Sequence, residues 1–65
     1  MKLYVWENVL TDYTSGIMFA VAEDVLAARL ALVQNCGYIP DADLAQTPKE
    51  FDMSSPVAFT CWGGG

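Results

Sequence analysis

Residues 2–21 read KLYVWENVLTDYTSGIMFAV, and this stretch decides the fold of the 65-residue chain. Tyr, Val and Trp favour β-strands, so the pattern predicts a first strand at about residues 2–9. A second strand is predicted at residues 17–21. The polar residues 11–16 between them end in glycine and have a suitable length for a wide hairpin loop.

Side chains alternate between the two faces of a strand. Leu3 and Val5 therefore share one face of the first strand, and Tyr4 and Trp6 lie on the other. In the second strand, Ile17, Phe19 and Val21 are predicted to lie opposite Met18 and Ala20.

Residues 23–36 form the one clear helical segment, rich in Ala and Leu, and Gly37 follows as a C-terminal cap. Ala22 would be a poor N-cap because it has no acceptor side chain. Arg29 falls inside the apolar arc that should face the sheet. Two structural interpretations are open: its stem covers apolar surface, or it pairs with a carboxylate, with Glu7 as the first candidate. A functional role for Arg29 also stays open.

Residues 38–55 have no long regular pattern, so they are a candidate functional loop. Tyr38 and Ile39 are predicted to anchor the start of this segment. A short helical turn is expected at residues 41–44, with Leu44 pinned to the core. The motif Thr47-Pro48-Lys49-Glu50 resembles a capping box, which predicts a further turn of helix ending near Met53.

Residues 57–62 read VAFTCW and predict a third strand after Pro56. The fold class is therefore α+β: a three-stranded antiparallel or mixed sheet with one α-helix packed on one face. A right-handed crossover to a third strand parallel to the second would place the first strand in the centre. Residues 1–62 are expected to form a single domain, and residues 63–65 a flexible glycine tail.

Eight carboxylates against three cations give a net charge of −5. With 54% hydrophobic residues the chain is too apolar for intrinsic disorder. Direct nucleic-acid binding is disfavoured because the negatively charged chain and the phosphate backbone would repel each other, whereas a basic partner would be attracted. No apolar stretch is long enough for a membrane helix. Cys36 and Cys61 are interpreted as reduced, buried side chains of a cytosolic protein, with a disulfide as the alternative.

The residue types exclude most catalytic chemistry. The chain has no histidine, which removes Ser-His-Asp and Cys-His catalysis. Asp41 and Asp43 lack the glycine and late glutamate of an EF-hand calcium loop, and no glycine-rich phosphate loop precedes the helix. We therefore predict that the protein is not an enzyme and has no catalytic residues, metal site or cofactor.

Two surfaces are candidates for partner binding. The first is acidic and would meet Arg or Lys of a partner; it comprises Glu7, Asp12, Asp41, Asp43, Glu50 and Asp52. The alternative is that these carboxylates only solubilise the surface. The second candidate is an apolar interface of Tyr4, Trp6 and Trp62, predicted to point away from the helix. The alternative here is that residues 38–55 cover this face. A monomer or a weak homodimer is expected.

The opening MKLYVWENVLTDYTSGIMFA and the ending WGGG resemble small phage and prophage anti-CRISPR proteins that inhibit type I-C systems. The resemblance implies a phage protein that acts in the cytoplasm of the host bacterium. It also implies stoichiometric binding to a Cas protein of the Cascade surveillance complex, at the large subunit near the site that reads the PAM, so that target DNA is kept out. The negative charge agrees with this, because the channel that holds the DNA must be basic. The alternative function is a cytosolic interaction module or homodimer that uses the aromatic face.

Overall fold

A computed structural model of the chain describes residues 1–60 and 62. The elements in chain order are β1 (Lys2–Val9), β2 (Gly16–Ala22), α1 (Val25–Cys36), α2 (Asp41–Leu44) and β3 (Lys49–Asp52). The strands form one sheet in the order β2-β1-β3, and α1 packs against β2. This is the predicted α+β fold, with the first strand in the centre.

Both neighbours of β1 are antiparallel to it. The β1–β2 register runs from Lys2 opposite Ala22 to Val9 opposite Gly16, and β1 pairs with β3 from Lys2 opposite Asp52. β2 and β3 therefore run parallel to each other. The predicted direction of the third strand is right.

The segment predicted to form the third strand is wrong. Residues 49–52 form β3, whereas residues 57–60 and 62 are not in a strand. The predicted capping box at Thr47 and the turn of helix near Met53 are absent as well. Pairing with β1 outweighs the local helix signal here, because β3 forms backbone hydrogen bonds with β1 and places Phe51 opposite Leu3.

The two faces of the sheet are reversed relative to the prediction. Tyr4 and Trp6 are 3% and 1% exposed and belong to the core cluster with Met18, Ala28 and Leu32. They therefore face α1 instead of solvent. Both faces of β1 are apolar, so alternation separates them without indicating which one receives the helix. We call the α1-facing side the inner face and the opposite side the outer face.

Helix α1 begins two residues later than predicted. Asp24 is the N-cap, and its Oδ1 accepts a hydrogen bond from the Ala27 amide at 2.8 Å. Gly37 caps the other end at φ 89°, as predicted, and its amide donates to the carbonyl of Val33. Ala28 is fully buried, because a small side chain lets the helix approach the large aromatic residues of the inner face.

Residues 38–48 cover the rest of the inner face. The alternative interpretation predicted this cover for residues 38–55, of which 49–52 form β3 instead. Ile39 lies in the core, and Leu44 packs against it as expected, but Tyr38 is exposed instead of anchoring the segment. The Trp6 indole donates to the carbonyl of Gln46 at 2.8 Å. Residues 41–44 form the expected short helix. The segment is thus tied to the sheet by both apolar and polar contacts.

The outer face is partly covered by the chain after β3. Phe59 packs edge-to-face on Phe51, with ring centroids 4.8 Å apart. Between Phe59 and the sheet lies a cavity of about 260 Å³, lined also by Leu3, Val5 and Phe19. Val5 is buried, whereas Phe19 is 63% exposed. The outer face therefore has a covered centre and an open side along β2.

Several predictions concern the cysteines and the C-terminus. Cys36, at the last turn of α1, is exposed, contrary to the prediction that it is buried. Cys61 and the predicted glycine tail at 63–65 lie outside the described residues. Over the described part of the chain, none of the helices has the length and apolar character needed to cross a membrane.

Candidate acidic site

Two of the six predicted acidic contact residues are neutralised within the chain. The Oε1 atom of Glu7 lies 2.6 Å from Lys49 Nζ, and the Oε1 atom of Glu50 lies 3.3 Å from Lys2 Nζ. Both pairs join β1 to β3. Because each carboxylate has a cation beside it, neither presents a net negative charge to a partner.

Arg29 does not pair with Glu7, so that expectation is wrong. Its Nε donates to the carbonyl of Leu44 at 2.9 Å, and its Nη2 donates to the carbonyl of Gln46 at 3.4 Å. These acceptors lie at the end of α2 and just beyond it. A cation is favoured there, because the last carbonyls of a helix have no partner within it. The role of Arg29 in the structure is to hold α2 against α1.

Three carboxylates lie in neighbouring segments at the end of the sheet where β1 ends and β2 begins. Asp43 Oδ2 accepts a hydrogen bond from the Leu10 amide at 3.1 Å, which brings α2 against the β1–β2 loop. Asp41 begins the same short helix, and Asp12 lies in the loop itself. Asp12 and Asp41 are exposed, and Asp43 is half-buried. We call Asp12, Asp41 and Asp43 the acidic end.

The backbone that carries Asp12 adopts an uncommon conformation. Asn8 and Leu10 have φ values of 56° and 52°, and the β1–β2 register shifts between Glu7 and Val9. Asn tolerates positive φ, but Leu disfavours it and persists there only when its surroundings hold it. The bond from Leu10 to Asp43 is one such restraint. Asp43 therefore shapes the acidic end as well as adding charge to it.

Asp52 lies far from the acidic end. In the sheet register Asp52 lies opposite Lys2, at the other end of β1. The seven residue steps from Lys2 to Val9 span about 23 Å. The pKa of Asp52 is lowered, first because the Ser54 amide donates to its carboxylate, with Lys2 a smaller cause. At physiological salt the Debye length is about 8 Å, so Asp52 and the acidic end act as separate charges.

The structure thus divides the predicted acidic surface into three parts. Asp12, Asp41 and Asp43 lie at one end of the sheet, Glu7 and Glu50 are paired with lysines, and Asp52 lies at the other end. Glu23 and Asp24, which follow Ala22, lie at that other end too. In sequence, the lysines at positions 2 and 49 were the signal that some carboxylates would be paired, but only the sheet register identifies the partners.

The predicted apolar interface is largely unavailable. Tyr4 and Trp6 are buried under α1 and residues 38–48, so they cannot contact a partner without unfolding. Trp62 is 93% exposed. Sequence reasoning missed the open side of the outer face, where Phe19 and Val21 are exposed. Their alternation in β2 was visible in the sequence, but the side that the helix covers was not.

The acidic end has the chemistry of a binding surface. Across residues 1–60 and 62, no three His, Cys, Asp or Glu side chains converge in a group able to hold a metal ion. Each carboxylate of the acidic end can accept hydrogen bonds from Arg or Lys side chains. No protein-family model, curated protein or solved structure matches the chain.

Proposed function

We propose that this protein is a non-catalytic inhibitor that binds a Cas protein of a type I CRISPR surveillance complex and blocks target DNA. The resemblance of residues 1–20 and 62–65 to anti-CRISPR proteins of type I-C systems supports the family of the target. The acidic end supports the mode of binding. In this proposal Asp12 and Asp41 contact Arg or Lys side chains that otherwise hold DNA phosphates.

The observation that carries this proposal is how the cations are used. Lys2 and Lys49 each pair with one glutamate, and Arg29 is bonded to carbonyl groups. Within the part of the chain that the structure describes, no cation lies within 4 Å of a carboxylate of the acidic end. Asp12 and Asp41 are exposed and therefore present their charge to solvent, and a basic surface would be attracted to them.

The proposed contact surface contains fewer residues than the acidic surface predicted from the sequence. Glu7 and Glu50 would have to break an ion pair before they met a new cation, so we leave them out of the contact surface. Asp43 is already bonded to Leu10, so it acts chiefly by positioning. Asp12 and Asp41 are the residues that we expect to meet the partner directly.

The test compares two double variants of equal charge. Asp12→Asn with Asp41→Asn changes the net charge from −5 to −3, and so does the control Glu23→Gln with Glu50→Gln. The assay measures displacement of target DNA from purified type I-C Cascade at two salt concentrations. We expect the first variant to weaken inhibition about tenfold, mainly through slower association, and its salt dependence to become shallower.

The control variant should inhibit within about threefold of the parent, since its carboxylates are paired or lie at the opposite end. Urea denaturation of both variants checks that the fold is intact. Equal loss in the two variants would show that only net charge matters. Unchanged inhibition in the first variant would remove the acidic end from the mechanism.

A second candidate function, an interaction module, is favoured by the exposed Phe19 and Val21. Its surface would be the open side of the outer face and not Tyr4 and Trp6, which are buried. Such a module needs no basic partner. The behaviour of the isolated chain in solution distinguishes it from an inhibitor that works by charge alone.

A further inference from the structure

Two of the three tyrosines of the chain are exposed, and both are close in sequence to carboxylates of the acidic end. Tyr13 is 98% exposed in the β1–β2 loop, directly after Asp12. Tyr38 is 75% exposed between α1 and α2, three residues before Asp41. The third tyrosine, Tyr4, is buried in the core. Each exposed ring buries little surface in the folded chain, so packing does not explain an aromatic side chain at either position.

The β1–β2 loop and the segment that joins α1 to α2 are neighbours in space. The Leu10 amide of the loop donates to Asp43 Oδ2 at 3.1 Å. Leu10 also lines one cavity together with Cys36 and Ile39. Because Tyr38 lies between Cys36 and Ile39 in sequence, the segments of both exposed tyrosines lie at the same end of the sheet as the acidic end.

The backbone around Tyr38 is fixed on both sides. The Gly37 amide donates to the carbonyl of Val33 at 2.8 Å, and Ile39 is buried in the core. The carbonyl of Tyr38 itself accepts a hydrogen bond from Cys36 Sγ at 3.3 Å. The ring is therefore carried by an ordered backbone, which reduces the entropy that a partner contact would cost.

Exposed rings beside carboxylates select among partners by chemistry. A nucleobase can stack on tyrosine, but its phosphates would be repelled by the acidic end. A second copy of this chain, docked at the same end, would bring its own carboxylates and be repelled in the same way. A guanidinium group meets both requirements, because it stacks on an aromatic face and donates two parallel hydrogen bonds to a carboxylate. The lysine ammonium is a compact point charge and lacks this planar geometry.

We infer that Tyr13 and Tyr38 stack on arginine side chains, and that the partner presents arginine instead of lysine to the acidic end. This inference rests on the proposed function and deepens it by naming the chemistry of the partner. It also separates two roles. Asp12 and Asp41 supply attraction over a distance that salt screens, whereas the rings act only on contact. The tyrosines should therefore change the strength of binding without changing its salt dependence.

The experiment titrates the isolated chain with hexa-arginine and hexa-lysine, two peptides of equal charge, and follows the tyrosine ring protons by NMR. We expect hexa-arginine to bind the parent about tenfold more tightly, because each stacked ring contributes about two- to fivefold. Tyr13→Leu with Tyr38→Leu should reduce this preference to about threefold or less, which amide shifts of the bound chain measure. Tyr13→Phe with Tyr38→Phe should keep most of it, since both rings are retained.

The matched control is Leu26→Ala with Leu30→Ala, which removes two exposed apolar side chains of α1 and no ring. It should leave the preference for arginine unchanged. All of these variants keep the net charge of −5, so the salt dependence of binding should equal that of the parent. Amide shifts of β1 in the free variants check that the fold is intact.

Equal affinity of the parent for the two peptides would overturn the inference. So would a preference for arginine that survives the double leucine variant, or one that the double phenylalanine variant loses. Displacement of target DNA from Cascade is measured separately. A preference for arginine without displacement would contradict the proposed function and support the tyrosine contact, and displacement without the preference would do the reverse.

Discussion

Replacing Arg29 with methionine tests how residues 38–48 are held against the sheet. The substitution removes the Nε–H bond to Leu44, at 2.9 Å, and the weaker Nη2–H bond to Gln46, at 3.4 Å. Methionine keeps much of the apolar stem and has a similar helix propensity, so α1 itself should not be affected. What is lost is the polar connection between α1 and α2.

The cost can be worked from these two bonds. A hydrogen bond from a charged group contributes about 1.5–3 kcal/mol when it is made inside a protein. The longer bond adds little, because the Gln46 carbonyl keeps its bond from the Trp6 indole at 2.8 Å. Arg29 is half-buried, so water can reach the Leu44 carbonyl in part. We therefore expect Arg29→Met to lower the free energy of unfolding by about 2 kcal/mol.

That loss is large for so small a domain. A chain of this length has a free energy of unfolding of roughly 3–10 kcal/mol, and a loss of about 2 kcal/mol lowers the melting temperature by roughly 8–16 °C. Urea denaturation followed by far-UV circular dichroism measures the change. Arg29→Lys should recover about half of it, because one ammonium group cannot present the two donors of the guanidinium.

Gln34→Met is the control, since Gln34 is an exposed residue of the same helix. Its effect should stay within about 0.5 kcal/mol. The reasoning is refuted if Arg29→Met is equally mild. Residues 38–48 would then be held by the apolar contacts of Ile39 and Leu44 alone. Amide exchange in α2 should accelerate in Arg29→Met, which also loosens the support of the acidic end.

Two further predictions concern the chain after β2. Phe59→Ala should lower the free energy of unfolding by about 1–2 kcal/mol, because it removes the edge-to-face contact with Phe51 and uncovers Val5. Urea denaturation measures the change. An unchanged denaturation midpoint would mean that residues 57–60 do not stabilise the outer face. Asp52 has a lowered pKa in the folded chain, because Ser54 donates to its carboxylate. The contribution of Asp52 to stability is therefore complete above the ordinary carboxyl pKa of about 3.9 and is lost as the pH falls below that value. Asp52→Asn should flatten the acid limb of the stability profile, and a limb as steep as that of the parent would contradict this.

Local patterns predicted the elements that lie close together in sequence. β1 and β2 were readable because both stretches favour strands and a polar loop of suitable length joins them. The C-cap at Gly37 was readable because a residue at positive φ favours glycine. The N-cap was missed by two residues, although Asp24 is a strong capping residue, because carboxylates are also favourable inside the first turn.

Contacts distant in sequence decided the rest. β3 pairs with β1 and forms two ion pairs with residues more than 40 positions away, Lys2 with Glu50 and Lys49 with Glu7, and no local pattern contains that information. On the inner face the Trp6 indole donates to the backbone carbonyl of Gln46, an acceptor 40 positions away in sequence that no local pattern identifies. The sequence therefore predicted carboxylates in the right segments without showing which of them would be neutralised.

The ion pairs also determine where the net charge of the protein lies. The two lysine–glutamate pairs sum to zero, so the charge of −5 is carried by six carboxylates and Arg29. Three of the carboxylates form the acidic end, and the other three, Glu23, Asp24 and Asp52, lie at the opposite end of β1. The middle of the sheet is neutral.

This distribution constrains how the protein could compete with DNA. A duplex carries one charge per ~1.7 Å of axis, so the roughly 23 Å between the two ends corresponds to about 14 charges. Six carboxylates over that distance reproduce less than half of the duplex charge. The proposed competition with DNA therefore cannot depend on matching the field of a whole duplex segment. In the proposed function, competition would instead depend on a local contact at one end together with the volume that the folded chain occupies, and the other end would not compensate when that contact is lost.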